Sequence, residues 1–438
     1  MQDTVPSFRD MFRVFARIGL ISFGGPAGQI ALMHRELVDE RQWVGEDQFL
    51  RALNFCHLLP GPEAQQLAVW IGWRLHGVRG GLAAGTLFVL PGALVMLGLS
   101  ILYVHAAGLA WFNALFVGIK AAVLALIAQA LIRIGRRALN TRFKLALAIL
   151  SFIGLFAFDL PFPLVVLGAG AAGMIVAAWR PELLRLKDAP PATAPAHQAR
   201  PVVGAVAALG IAWALPFLLI AVFLGRDHVL MDIASFFTQL AVVTFGGAYA
   251  VLAYLAQEAV QSWHWLQPGE MADGLGLAET TPGPLIMVTQ FVGFLGAYRS
   301  PAPFSPMTAG ILGAVVTTWV TFVPCFLWIF AFAPWIDRLE HAQRLHGGLA
   351  ALTAAVVGVI ANVALWFALH VLFERTDVHQ EGVLRFIVPD LSTLDIPALG
   401  LSVLAFLLIF PARRSVIQTL AVCGAAALVV GLLPPMGR

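Results

Sequence analysis

Two prolines bracketing a glycine interrupt apolar sequence at Pro60-Gly61-Pro62, and the triplet returns 222 residues later (282 − 60) at Pro282-Gly283-Pro284. Proline lacks an N–H and clashes with the preceding turn, so a helix reaching Leu59 must stop there and restart with Pro62 at its first position. The restarted helix offers unpaired N–H groups, such as those from Glu63 to Gln65, and the positive end of its dipole. That combination binds anions. Phe23-Gly24-Gly25-Pro26 predicts a similar break in the first apolar segment, and Phe245-Gly246-Gly247 its counterpart, with paired glycines allowing close backbone approach. The competing reading makes each break a plain kink in a packed helix.

Ionisable residues sit beside these breaks. His57 and Glu279 each lie three residues before the first proline and correspond across the same offset. Ionisable groups at membrane depth are costly and usually functional. A histidine and a carboxylate facing one site can carry a coupled proton, with Glu63 as a further coupling candidate. The alternative is that Glu279 caps a broken helix while His57 bonds a carbonyl. Lys120, isolated in its apolar segment, is a candidate cation for a bound anion; the alternative, snorkelling, is awkward at its central depth. Arg35 and Arg51, near Glu36 and Arg41, form either an anion-attracting rim or an ordinary solvated loop.

The elements that position these residues follow from composition. The chain has 438 residues, 60% hydrophobic and 12% charged, where average chains are about a quarter charged. Apolar runs predict thirteen helical spans, near 11–33, 48–75, 80–104, 110–132, 143–159, 161–179, 202–224, 233–256, 271–298, 307–333, 347–372, 396–411 and 415–434. Each must satisfy its own backbone, and no alternating barrel pattern is present. The expected fold is an all-α polytopic membrane protein. Its net charge of +3 lies in short loops and speaks to orientation rather than to nucleic acid. Cys56, Cys325 and Cys423 lack metal or redox spacing, so no metal or cofactor is expected.

The basic loop from Arg133 to Lys144 places that end in the cytoplasm. Alternating from it puts residues 34–47 outside despite Arg35 and Arg41, so either the topology differs there or those arginines have a task other than orientation. Seven spans separate the starts of the two copies. Seven is odd, so the six-span repeats should be inverted, with 202–224 as the helix that inverts the second. Beyond the second break the offset becomes 233 (324 − 91), pairing Pro91 with Pro324. The expected domains are an N-terminal repeat at 1–179, a polar linker and connecting helix at 180–232, and a C-terminal repeat at 233–438. Broken helices in matched positions of two repeats point to a substrate site between them.

At these residues the chain resembles the chromate ion transporter family in its long, two-domain form. The likeness rests on Phe23-Gly24-Gly25-Pro26-Ala27, Leu59-Pro60-Gly61-Pro62 with Gln65-Gln66, Arg74 to Pro91-Gly92, Thr244-Phe245-Gly246-Gly247, and Gly276 to Pro284. It covers nearly the whole chain. One departure is Ala248, where the first copy has Pro26, which softens the second cradle. The resemblance implies a multi-pass secondary carrier, an antiporter of the bacterial inner membrane, that exports chromate and confers resistance, with sulfate as the structural analogue. A tetrahedral dianion needs many donors and few carboxylates. The breaks supply backbone N–H groups, and Gln65, Gln66, Thr280, Thr281 and Lys120 add side-chain donors. Competing readings are an uptake or exchange carrier for sulfate or another oxyanion, and an anion channel. A chromate-reducing membrane oxidoreductase would need haem-ligating histidines or paired cysteines. An ATP-driven pump would need a phosphate-binding loop that this chain lacks. Membrane lipid and a second copy of the chain are the other partners considered.

Overall fold

A computed structural model describes residues 6–23, 25–186, 203–244, 248–336, 342–382 and 384–432. In chain order the helices are α1 (Phe8–Ile21), α2 (Gly25–His34), α3 (Glu46–Cys56), α4 (Glu63–Ala106), α5 (Ala110–Ala138), α6 (Arg142–Phe158), α7 (Phe162–Trp179) and α8 (Val203–Phe223). They continue with α9 (Val229–Val243), α10 (Ala248–Gln257), α11 (Pro268–Thr280), α12 (Val288–Arg299), α13 (Pro306–Phe332), α14 (Gln343–Leu372), α15 (Ile396–Ile409) and α16 (Val416–Leu432). Each of the thirteen apolar segments is helical. The segments at 11–33, 48–75, 233–256 and 271–298 are split, two in each half of the chain. The boundary expected between 75 and 80 is a bend inside α4, where His76 and Gly77 leave helical geometry.

Six helices among the described residues are long and apolar enough to cross a membrane, and others such as α9 and α15 are apolar but shorter. The outer surface agrees with a lipid surround. Val203, Ile211, Val222 and Phe223 on α8 are each at least two-thirds exposed, an arrangement water disfavours. The chain is an all-α multi-pass membrane protein. One element escaped the sequence reading: β1 (Thr376–Glu381) pairs antiparallel with β2 (Leu384–Pro389) in the loop after α14. Arg385 of β2 pairs with Asp159, the left-handed residue that closes α6, and Gln257 also donates to Asp159 at 3.0 Å.

The described residues divide into two compact units. The first draws on 1–98, 187–251 and 281–346, and the second on 99–186, 252–280 and 347–438. Each mixes both halves of the chain, whereas the domains expected above are divisions of the sequence into repeats. Most of the expected polar linker lies outside the described residues. In the first unit α13 packs on α8, α9 and α12, burying Phe237, Phe291, Phe294 and Phe330. In the second, α5 packs on α11, α15 and α16, and the hairpin lies on α6.

The offset of 222 recurs in the backbone itself. α2 runs into a wider helical turn at Arg35–Glu40, and α10 into one at Glu258–Ser262. Gln42 and His264 then take left-handed φ values of 54° and 53°. The Val44 amide donates to the Leu37 carbonyl at 3.4 Å, and the Leu266 amide to Ala259 at 3.1 Å. These matched details arise from residues of different type, so the repeat is one of local conformation as well as of motif.

Candidate functional site

The two Pro-Gly-Pro breaks are built in the first unit. α3 ends in tight turns, with the Leu58 amide donating to Phe55 and the Leu59 amide to Cys56. Pro60 offers no N–H. Gly61 has φ +115° and Gly283 φ +97°, conformations that residues with a Cβ rarely adopt. Pro62 then accepts from the Gln66 amide at 3.1 Å, and Pro284 from the Met287 amide at 2.9 Å. The amides of Glu63, Ala64 and Gln65 therefore precede the first intrahelical bond, as the sequence reading expected. The second copy differs locally, because Leu285–Met287 is a short 3-10 turn before α12.

Each break is fastened to the opposite half of the chain. The Gly61 amide donates to the Thr244 carbonyl at 2.8 Å, and the Gly283 amide to the Ser22 carbonyl at 2.9 Å. Ser22 and Thr244 end α1 and α9, where helix carbonyls need outside donors. Packing is reciprocal too. A Cβ on Gly61 would fall 2.8 Å from the Cys325 sulfur, and one on Gly92 would fall 2.3 Å from the Pro282 carbonyl oxygen. Cys325 and Gly92 correspond at the offset of 233. The two glycine amides are thus committed to protein carbonyls. The N–H groups that open the following helices are not so committed.

Buried glutamines line these turns. Gln66 donates to Pro60 at 2.6 Å, Gln65 to Phe322 at 3.5 Å and Gln290 to Ala93 at 2.9 Å, while Gln29 donates to Gly283. All four side chains are nearly fully buried, and their amide oxygens have no hydrogen-bond partner among the described residues. Such oxygens accept from water or from a proton-bearing ligand. His57 faces Glu63 across the break, with Nδ1 2.9 Å from Oε1, which ties the end of α3 to the start of α4.

The remaining predicted residues fall as follows. Gly25 (φ +68°) and Pro26 open α2 in the first unit. Gly24, Gly246 and Gly247 lie outside the described residues. Thr281, Pro282, Gly283 and Pro284 are buried in the first unit. Glu279 and Thr280 end α11 in the second unit, with Glu279 buried and Thr280 exposed, its hydroxyl donating to Leu277. Lys120 of α5 is not isolated: its ammonium lies 3.2 Å from Asp273 of α11. Arg35 lies 3.6 Å from Glu40, and Arg41 lies 2.5 Å from the buried Glu36. Arg41 therefore has a structural partner, which accounts for a basic residue in a loop the charge rule places outside. Ser22, Gln29, Thr244, Cys325 and Asp273 were missed as site residues. Only Asp273, a carboxylate inside an apolar segment, carried a signal that could have found it.

Residues 9–174 and 231–432 match the sequence model of a family described as chromate transporter. A chromate transport protein of Pseudomonas aeruginosa is 34% identical over 371 residues, covering 82% of this chain and 80% of that protein. A chromate transport protein of Cupriavidus metallidurans is 28% identical, covering 83% of this chain and 84% of that one. An uncharacterized transporter of Methanocaldococcus jannaschii is 26% identical, covering 83% and 85%. No solved structure matches the chain.

Proposed function

The chain belongs to the chromate transporter family, and we propose that it is a secondary carrier exporting chromate across the bacterial inner membrane and so conferring resistance. The observation that carries this reading is the reciprocal fastening of the two breaks, Gly61 to Thr244 and Gly283 to Ser22. It holds two helix starts in fixed positions while leaving their first N–H groups for a ligand. A tetrahedral dianion is the ligand such starts suit, since it accepts from several N–H groups and is drawn by the dipole.

The recurrence of backbone conformation at 222 residues, together with the odd number of segments between the copies, supports two inverted six-span repeats. Alternating access by one repeat rocking against the other follows from that arrangement. Within the first unit, Gly25, Pro26, Pro60, Gly61, Pro62, Pro282, Gly283 and Pro284 shape the turns, and Gly24, Gly246 and Gly247, outside the described residues, are carried over from the sequence as further candidates. Gln65, Gln66 and Thr281 are the candidate side-chain donors of the first unit; Lys120 and Thr280 are the candidates of the second, where the Thr280 hydroxyl already donates to Leu277. His57, Glu63 and Glu279 are the coupling candidates, and Arg35 and Arg51 draw anions toward the entrance.

Sulfate shares the charge and shape of chromate and is the natural competitor. The test is flux of labelled chromate and labelled sulfate in proteoliposomes under imposed anion and pH gradients. Chromate flux above protein-free vesicles, inhibited by external sulfate, is the expected outcome. Sulfate flux without chromate flux would move the assignment to a sulfate carrier, and gradient-independent flow at channel rates would remove the carrier mechanism.

A further inference from the structure

Three polar side chains from three helices meet inside the second unit. Lys120 from the middle of α5 approaches Asp273 Oδ1 at 3.2 Å, and the Tyr103 hydroxyl near the end of α4 donates to Asp273 Oδ2 at 2.8 Å. Asp273 is 5% exposed, while about a quarter of the Lys120 side chain (26%) remains open. The approach is close because a glycine permits it: a Cβ on Gly276, one turn from Asp273, would fall 2.0 Å from Ile119 Cγ2. Lys120 is the only partner of Asp273 Oδ1 among the described residues. Glu270, one turn earlier on α11, is a second negative charge nearby. The helix α16, which also touches α11, carries no ionisable side chain except Cys423.

An unpaired ammonium or carboxylate in the membrane interior is expensive, and removing one partner of a buried pair leaves the other charge uncompensated. In the empty protein Lys120 and Asp273 answer each other. A dianion engaging the open part of Lys120 competes for the same ammonium. Asp273 is then left with one neutral hydroxyl donor and a like charge at Glu270.

We propose that Asp273 is the proton-linked counterpart of the anion at Lys120, one proton passing from solvent onto the Asp273 carboxyl for each anion that Lys120 engages. This rests on the reading of the chain as an oxyanion carrier. No covalent bond forms or breaks besides the O–H on Asp273, and the proton is returned to solvent when the anion leaves. A dianion and its proton move together as one net negative charge, so an inside-negative potential favours their exit.

The test is chromate binding to the purified full-length protein in nanodiscs, titrated from about pH 6 to about pH 8.5 for wild type and Asp273→Asn. Comparing the two proteins at each pH cancels the protonation of chromate itself. At the acid end the two should bind alike, because a protonated Asp273 and an asparagine leave Lys120 equally available. Toward the alkaline end wild type should weaken relative to Asp273→Asn, by up to about tenfold per pH unit. Lys120→Met should lose binding throughout. An affinity ratio that does not change with pH overturns the proposal while leaving the carrier reading standing. Chromate binding by none of the proteins at any pH overturns both. If Asp273→Asn fails to insert, Tyr103→Phe still decides the matter. Loss of a donor to the carboxylate should move the midpoint of the pH profile to more alkaline values, and an unmoved midpoint contradicts the proposal.

Discussion

The Gly61 amide donates to the Thr244 carbonyl at 2.8 Å, and 222 residues along, the Gly283 amide donates to the Ser22 carbonyl at 2.9 Å. Each donor is the glycine of a Pro-Gly-Pro break and each acceptor is the C-cap of the first helix in the other half. A bend and a helix end both leave backbone groups unpaired, and here each supplies what the other lacks. A two-fold relation between the halves would produce such an exchange, with residue i meeting residue j of the other copy and j meeting i.

The contact between Gly61 and Cys325 predicts a coupled pair. Gly61→Ala adds a Cβ 2.8 Å from the Cys325 sulfur at φ +115°, and strain of this kind costs roughly 1–3 kcal/mol. Cys325→Ala should recover part of that loss, because the steric part disappears and the backbone part stays. Thermal unfolding of the two single variants and the double variant measures this. Strictly additive losses would show that the two residues do not touch.

Glu36 and Arg41 are unequal partners. Glu36 is 1% exposed, while Arg41 keeps about a quarter of its surface (26%) open. Removing Arg41 leaves the buried carboxylate with only the more distant and largely exposed Arg17, 3.9 Å away, whereas removing Glu36 leaves arginines that can turn to solvent. Arg41→Met should therefore destabilise by up to about 3 kcal/mol, and Glu36→Gln by clearly less. Chemical denaturation of the two variants checks the order, and the reverse order would contradict the burial argument.

His34 supplies a pH-dependent clamp beside the first re-entrant turn. Its ring lies 2.6 Å from Glu46 and 3.3 Å from Asp39. Burial pulls the imidazole down, but hydrogen bonds and charge from Glu46 and Asp39 raise it above its ordinary value of 6.5. A raised folded value means the stabilisation is fully present below the unfolded pKa and is lost as pH rises through the folded one. The melting temperature of wild type should fall across that window by more than that of His34→Gln. Parallel curves for the two proteins would remove His34 from the pH response.

Most of the helical framework was legible in the sequence because proline, glycine and apolar run length act locally. Pro60 and Pro282 had to end helices, and the 222-residue offset located their counterparts. What stayed hidden depends on contact. Nothing about Ser22 or Thr244 as residue types shows that their carbonyls receive a glycine amide. Lys120 looked solitary because Asp273 lies far away in sequence, and Arg41 looked like a loop charge until its bond to Glu36 was visible. The hairpin at 376–389 was missed because it lies between apolar spans, where hydropathy is silent.

Coupling is tested beside the breaks. Glu279→Gln should uncouple flux from a pH gradient while leaving anion exchange measurable, if Glu279 carries a proton. His57→Gln and Glu63→Gln should act as one unit, since their side chains bond at 2.9 Å, so the double variant should be little worse than either single one. Loss of all flux on Glu279→Gln would point to a binding or structural role, and unchanged pH dependence in all three variants would place coupling elsewhere.

The central claim is that the two glycine-centred breaks form the path for the oxyanion. Chromate flux through proteoliposomes containing equal amounts of inserted wild type, Gly61→Val and Gly283→Val tests it most directly. A distortion of the turn on the order of 1 Å can cost about 100-fold in a positioned site, so each variant should lose most of its flux while still inserting. Full chromate flux in both variants would contradict the account.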